Sequence, residues 1–153
     1  MKKTFSVFFA LLAVTICTAK ESLSINFDYS IIGVAVAKEG YYLVEVSAMV
    51  EKKKEATLEI AKKCALHGCL FKGFVVDRIS QKPILSSPSI EQEYQEYFIK
   101  LFNEQFNNYV NCTHPIQIVK IGKQYRVKAV VVVAKDLLRK DLENVGIIKK
   151  LGL

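Results

Sequence analysis

From Tyr42 to Ala48, the residues Tyr42, Val44, Val46 and Ala48 alternate with Leu43, Glu45 and Ser47. A period of two puts the two sets on opposite faces of the chain and predicts a half-buried β-strand. The stretch before it, "IIGVAVA", reads as its hairpin partner, with Lys38-Glu39-Gly40 as the turn. From Glu51 the period changes. In "EKKKEATLEIAKKCALHGCL", Ala56, Ile60, Ala61, Cys64, Ala65 and His67 or Gly68 share one side, while Lys52, Lys53, Lys62 and Lys63 fall mostly elsewhere. That is an amphipathic helix with a narrow stripe of small residues, able to lie close against a sheet. Gly68 is the expected helix end, because glycine adopts the left-handed C′ conformation without steric cost.

"LFKGFVVDRI" predicts the next strand, and "SQKPILSSPS" a loop broken by Pro83 and Pro88. A second helix is predicted from about Ile90 to Asn107. Ser87 and Pro88 stand at the cap and N1 positions, and Ser89 with Gln92 fits a capping box. Its aromatic residues Tyr94, Tyr97, Phe98, Phe102, Phe106 and, just beyond, Tyr109 cover about half the circumference at ~100° per residue. Such an arc is read first as a core face. It is wide enough to leave Phe102, Phe106 and Tyr109 as an exposed partner surface or ligand groove.

"IQIVKIGKQYRVKAVVVVAK" predicts a hairpin turning near Gly122. Its run Val130 to Val133 is continuously apolar, as expected of a central strand buried on both faces. A last helix should start at Asp136 and stop at Gly146, with the apolar, basic tail "IIKKLGL" packing back on the domain. The order β-β-α-β-α-β-β-α predicts an α+β two-layer sandwich, with helices on one face of a mainly antiparallel sheet.

The first residues change the setting. "MKK" is a positive n-region, "TFSVFFALLAVTI" an apolar h-region, and "CTA" a small-residue cleavage site. Together they predict a secretory signal peptide over residues 1–19, cut after Ala19, and a single domain over residues 20–153. The apolar run is too short to span a membrane. Ile16 before Cys17 does not suit a lipid-modified cysteine. The expected location is the periplasm or cell envelope of a Gram-negative-type bacterium. Loss of Lys2 and Lys3 lowers the formal charge from +7 to +5. The excess is lysine-dominated, since Arg78, Arg126 and Arg139 are the only arginines. Without an arginine cluster, nucleic acid is not an expected partner; an envelope protein or anionic envelope surface is, and a homo-oligomer is compatible.

The strand ending "VEVSAMV" and the helix after it, with Val46, Ser47, Ala48, Ala56, Ala61 and Ala65, resemble small α/β domains of bacterial envelope proteins. The N-terminal domain of flagellar assembly protein T and its lipoprotein relatives are similar over residues 41–75. The resemblance implies an exported scaffolding domain without a catalytic centre.

Catalytic templates are absent: no G-x-S-x-G, no H-E-x-x-H and no phosphate-binding glycine loop occurs. The carboxylates Glu91, Glu93 and Glu96 read as a solvated helix face. What remains is Cys64, His67, Cys69, Cys112 and His114. Cutting at Ala19 removes Cys17 and leaves three cysteines, an odd count for an oxidising compartment. Three arrangements fit. Cys64, His67, Cys112 and His114 have the ligand types of a tetrahedral zinc site. Alternatively Cys69, or Cys64, pairs with Cys112; a loop of about 44 residues would then contribute roughly 4 kcal/mol in the chain-entropy model. In the third, the thiols are unpaired packing residues. A cysteine–histidine nucleophile is disfavoured, because His67 and Cys69 do not face one another on a helix. The expectation is therefore a non-catalytic binding or scaffolding domain of the envelope. Its alternatives are a metal-binding or thiol-redox protein and a small-molecule binder at the aromatic helix.

Overall fold

The computed structural model describes residues 28–35 and 38–150. The predicted signal peptide with Cys17, the start of the polar leader and the last three tail residues lie outside them. In chain order the elements are β1 (Asp28–Ala35), β2 (Tyr42–Val50), α1 (Leu58–His67), β3 (Phe74–Val76) and β4 (Ile79–Gln81), then α2 (Ser89–Glu93), α3 (Gln95–Lys100), β5 (Val110–Cys112), β6 (Gln117–Ile121), β7 (Gln124–Val133) and α4 (Lys135–Asn144).

The predicted α+β sandwich is what the chain forms. The alternation that marked β2 builds its centre. Val44, Val46, Ala48 and Val50 are buried, and β7 matches them with Val127, Ala129, Val131 and Val133. The two strands pair antiparallel along their length, from Tyr42 opposite Val133 to Val50 opposite Tyr125. β1 pairs with the other side of β2. Beyond β7 lie β6, which turns into it through Gly122 at φ +60°, and the short β5. The sheet therefore runs β1-β2-β7 and then β5 or β6, antiparallel throughout. Val130 and Val132 are only half-buried, so β7 is central but not enclosed on both faces. Helical cover lies on one face, and a continuous apolar run does not reveal that asymmetry.

α1 lies on the covered face, against β2, β5 and β7, with Ala61, Cys64 and Ala65 at the contact. Thr57 caps it, its hydroxyl accepting from the Ile60 N–H at 3.3 Å. Gly68 does not end it. That residue is right-handed (φ −62°, ψ −44°), and the chain continues as a π-turn over Gly68–Lys72. The stop is Gly73 at φ +72°, whose N–H donates to the Gly68 carbonyl at 2.8 Å. Gly68 is small for a different reason: a Cβ there would stand 2.9 Å from Cδ1 of Ile31.

The predicted strand over Leu70–Ile79 shrinks to β3, which pairs with β4 in a separate two-stranded sheet. The long second helix is broken at Tyr94 (φ −110°, ψ 37°) into α2 and α3. It ends in a π-turn over Leu101–Gln105 and a 3-10 turn over Phe106–Asn108. Its start follows the expected chemistry in part, since Ser89 N–H donates to the Ser87 hydroxyl at 3.3 Å. α4 buries Leu138 and Leu142, and Asp136 N–H donates to the Gly40 carbonyl. After Gly146 at φ +78° the tail folds back, with Ile147 N–H on the Leu142 carbonyl at 2.9 Å and its side chain buried.

Candidate functional site

The cysteines and histidines are divided between the two edges of the sheet. Cys64 and Cys69 are buried on α1 and its π-turn, and Cys112 is half-buried on β5. All three are free, so the pairing of Cys69 or Cys64 with Cys112 is not formed. The Cys112 thiol donates instead to the carbonyls of His114 (2.8 Å) and Val130 (3.4 Å). His114 is exposed and bonds Thr113 Oγ1 through Nδ1 at 2.9 Å. His67 is at the opposite edge, where its Nδ1 meets the Tyr29 hydroxyl of β1 at 2.5 Å. β1 and β5 stand three strand spacings apart in the sheet, about 14 Å, against zinc–ligand bonds of about 2 Å. The proposed quartet Cys64, His67, Cys112 and His114 is therefore not brought together. Among the described residues no three histidine, cysteine or carboxylate side chains are grouped to hold a metal ion.

His67 has a more particular setting than the sequence indicated. Its ring packs against Phe71 and Phe102, with centroids 4.9 and 5.9 Å away, and edge-on to Tyr29. Burial, helped by the Lys72 charge, lowers its pKa to about 4. Burial holds the Tyr29 phenol well above the usual tyrosine range, and the Lys72 ammonium sits 3.7 Å from the centre of that ring. The other ring nitrogen, Nε2, faces Glu91 Oε1 at 3.7 Å. That separation is beyond a hydrogen bond, and Glu91 Oε1 is buried without a partner. Burial also raises the Glu91 carboxyl. The three side chains join β1, α1 and α2 around a neutral imidazole. Nothing local marked Tyr29, which is 38 residues from His67.

The aromatic residues chosen as a partner surface turn inward. Phe102, Phe106 and Tyr109 are 3%, 4% and 6% exposed, which removes them from any docking face. Phe98 packs on Phe71, Tyr97 and Phe102. Tyr109 donates its hydroxyl to Asp141 Oδ2 at 2.6 Å, tying the start of β5 to α4.

What the fold leaves open is the other side of the sheet. That face carries Ile32, Leu43, Glu45, Ser47, Met49, Val130 and Val132, with Ile32 half exposed and the others half-buried. Near its middle Lys128 Nζ pairs with Glu45 Oε1 at 2.8 Å. The edge beyond β7 is formed by β6, all five of whose residues are exposed. A cleft of about 240 Å³ opens at one end between the Gly40 turn and the β3–β4 hairpin, lined by Tyr41, Tyr42, Phe74, Val76 and Ile79. It is smaller than the usual drug-sized pocket of roughly 300–1,000 Å³.

Compared with known proteins, the chain matches no family model, no curated protein and no solved structure.

Proposed function

We propose that the protein is an exported, non-catalytic binding or scaffolding domain of a bacterial envelope, engaging its partner through the uncovered side and edge of its sheet. The observation that carries this reading is the one-sided cover of the sheet. α1 seals the face built on Val44, Val46 and Val131, while the face built on Ile32, Leu43, Val130 and Val132 has no second layer among the described residues. Exposed apolar area of that kind marks interaction surfaces when it is contiguous. The N-terminal charge and hydropathy pattern supports export, and the resemblance over residues 41–75 supports a scaffolding role.

The test is site-specific photocrosslinking in cells of a Gram-negative bacterium carrying the full chain. A crosslinker at Ile32 or Val130 should give adducts in the envelope fraction, and one at exposed Asn103 should not. Retention of the chain in the cytoplasm, or equal labelling from all three positions, would contradict the proposal.

A further inference from the structure

The hairpin of β6 and β7 carries Lys120, Lys123, Arg126 and Lys128 with no carboxylate of its own between Gln117 and Lys128. Among the described residues only Lys128 is matched, by Glu45 of β2. The same end of the sheet receives a second basic group. Val50 stands opposite Tyr125, so the chain leaving β2 delivers the exposed run Lys52–Lys54 beside the hairpin turn. Glu51, Glu55 within reach of Lys52, and Asp28 opposite Met49 offset that run, so the net positive charge of this end is that of Lys120, Lys123 and Arg126.

Apolar side chains are interleaved with these charges. Ile118 is 41% exposed, Val119 54% and Ile121 38%, on an edge strand that pairs with no strand but β7 among the described residues. Resting on the envelope-binding reading above, we propose that this hairpin edge docks on an anionic lipid surface, with Val119 and Ile121 entering the headgroup layer.

Two features choose lipid over the other occupants. Protein interfaces are enriched in aromatic residues and arginine and depleted in lysine, whereas this edge is aliphatic and lysine-rich. Lysines extend their methylene stems along an apolar boundary and keep the ammonium at the phosphates. A second copy pairing edge to edge through β6 would bring two uncompensated basic hairpins together, and charge on an edge strand opposes such pairing. The arrangement of a shallow apolar tip within a basic rim is that of an interfacial binder.

The experiment is co-sedimentation of the exported chain, purified after removal of residues 1–19, with vesicles of phosphatidylglycerol and phosphatidylethanolamine, against vesicles of phosphatidylcholine, read together with lysine acylation mapped by mass spectrometry. The chain should partition onto the anionic vesicles alone, and salt should release it. On the vesicles Lys120 and Lys123 should be protected while Lys100 and Lys140 react as in solution. The triple variant K120Q/K123Q/R126Q should lose about fivefold in partitioning per charge, on the order of a hundredfold in all. These are exposed positions, and an unchanged circular dichroism melt confirms the fold. No partitioning, equal partitioning of the triple variant, or protection at Lys100 and Lys140 in place of Lys120 and Lys123 overturns the proposal. If vesicles are ignored while Ile32 or Val130 still crosslinks to an envelope protein, the lipid proposal falls and the broader reading stands.

Discussion

Gly33 on β1 and Val76 on β3 touch across two sheets that share no hydrogen bond, and a Cβ on the glycine would overlap the Cβ of Val76. The β3–β4 hairpin is seated on the edge of the main sheet through this contact. Gly33→Ala should therefore destabilise the protein by about 2–3 kcal/mol, the cost of overpacking where neither backbone can retreat. Gly68→Ala should do far less. The Cβ there meets side-chain atoms of Ile31, Cδ1 at 2.9 Å and Cγ2 at 3.0 Å, rather than backbone, and alanine returns up to about 1 kcal/mol of helix propensity. Urea unfolding of the two variants checks the contrast; equal losses would mean that Val76 is not the obstacle.

The setting of His67 gives stability a pH dependence with a definite sign. Its folded pKa is lowered from 6.5 to about 4, mainly by burial. Between those values the unfolded chain binds the extra proton, so stability is full above pH 6.5 and falls as pH drops toward 4. The loss attributable to this group is about 2–3 kcal/mol. Glu91, raised by burial, acts with the opposite sign and must be separated from it. His67→Gln keeps a polar side chain but cannot titrate. Unfolding free energies at pH 7.5 and 4.5 should show the wild type losing about 2–3 kcal/mol more than the variant on acidification. Parallel losses would show that His67 is not the titrating group.

These two relationships indicate where reading the sequence stops. The period of two in β2 and the small-residue stripe of α1 were legible because each is set by neighbours in sequence. Gly68 is a glycine because Ile31, more than thirty positions upstream, packs against it, while the helical path runs on to Gly73; neither fact is local to the sequence around Gly68. The aromatic helix was read as one unit because composition says nothing of the break at Tyr94. Phe98 and Phe102 join the core through contacts with Phe71 and His67 that no helical wheel displays. The cysteine–histidine set looked like one site only while strand order was unknown. Once β1 and β5 are placed at opposite edges, it separates into two local arrangements. The hairpin about Gly122, by contrast, was legible from its own residues; the exposure of all five residues of its β6 arm was not.

Thiol chemistry separates the three cysteines. Burial pushes the thiols of Cys64 and Cys69 up to about 12, and both side chains are closed to solvent. Reaction requires the thiolate and access to it. Cys112 is the described cysteine with partial exposure. Alkylation of the folded protein at pH 8 should therefore modify Cys112 first and leave Cys64 and Cys69 unlabelled until denaturation, as peptide mapping would show. Early labelling of Cys64 would contradict the burial. An intact mass lighter by two hydrogens would instead reveal a disulfide.

The turn between β3 and β4 holds strain that can be removed by substitution. Asp77 and Arg78 both have positive φ, 47° and 67°, the left-handed conformation at both central positions of a two-residue hairpin loop. Such a turn prefers Asn-Gly, and a side chain in the left-handed region costs about 1–2 kcal/mol, least for aspartate or asparagine. Arg78 is exposed, so its removal forfeits little packing. Arg78→Gly should stabilise the protein by about 1 kcal/mol, since glycine's added freedom in the unfolded chain offsets part of the relief. Asp77→Asn should change stability by less than about 0.5 kcal/mol, because both residues tolerate this geometry. Thermal unfolding of the single and double variants measures each term. A loss of stability in Arg78→Gly would mean that the arginine makes a compensating contact worth more than the strain it carries.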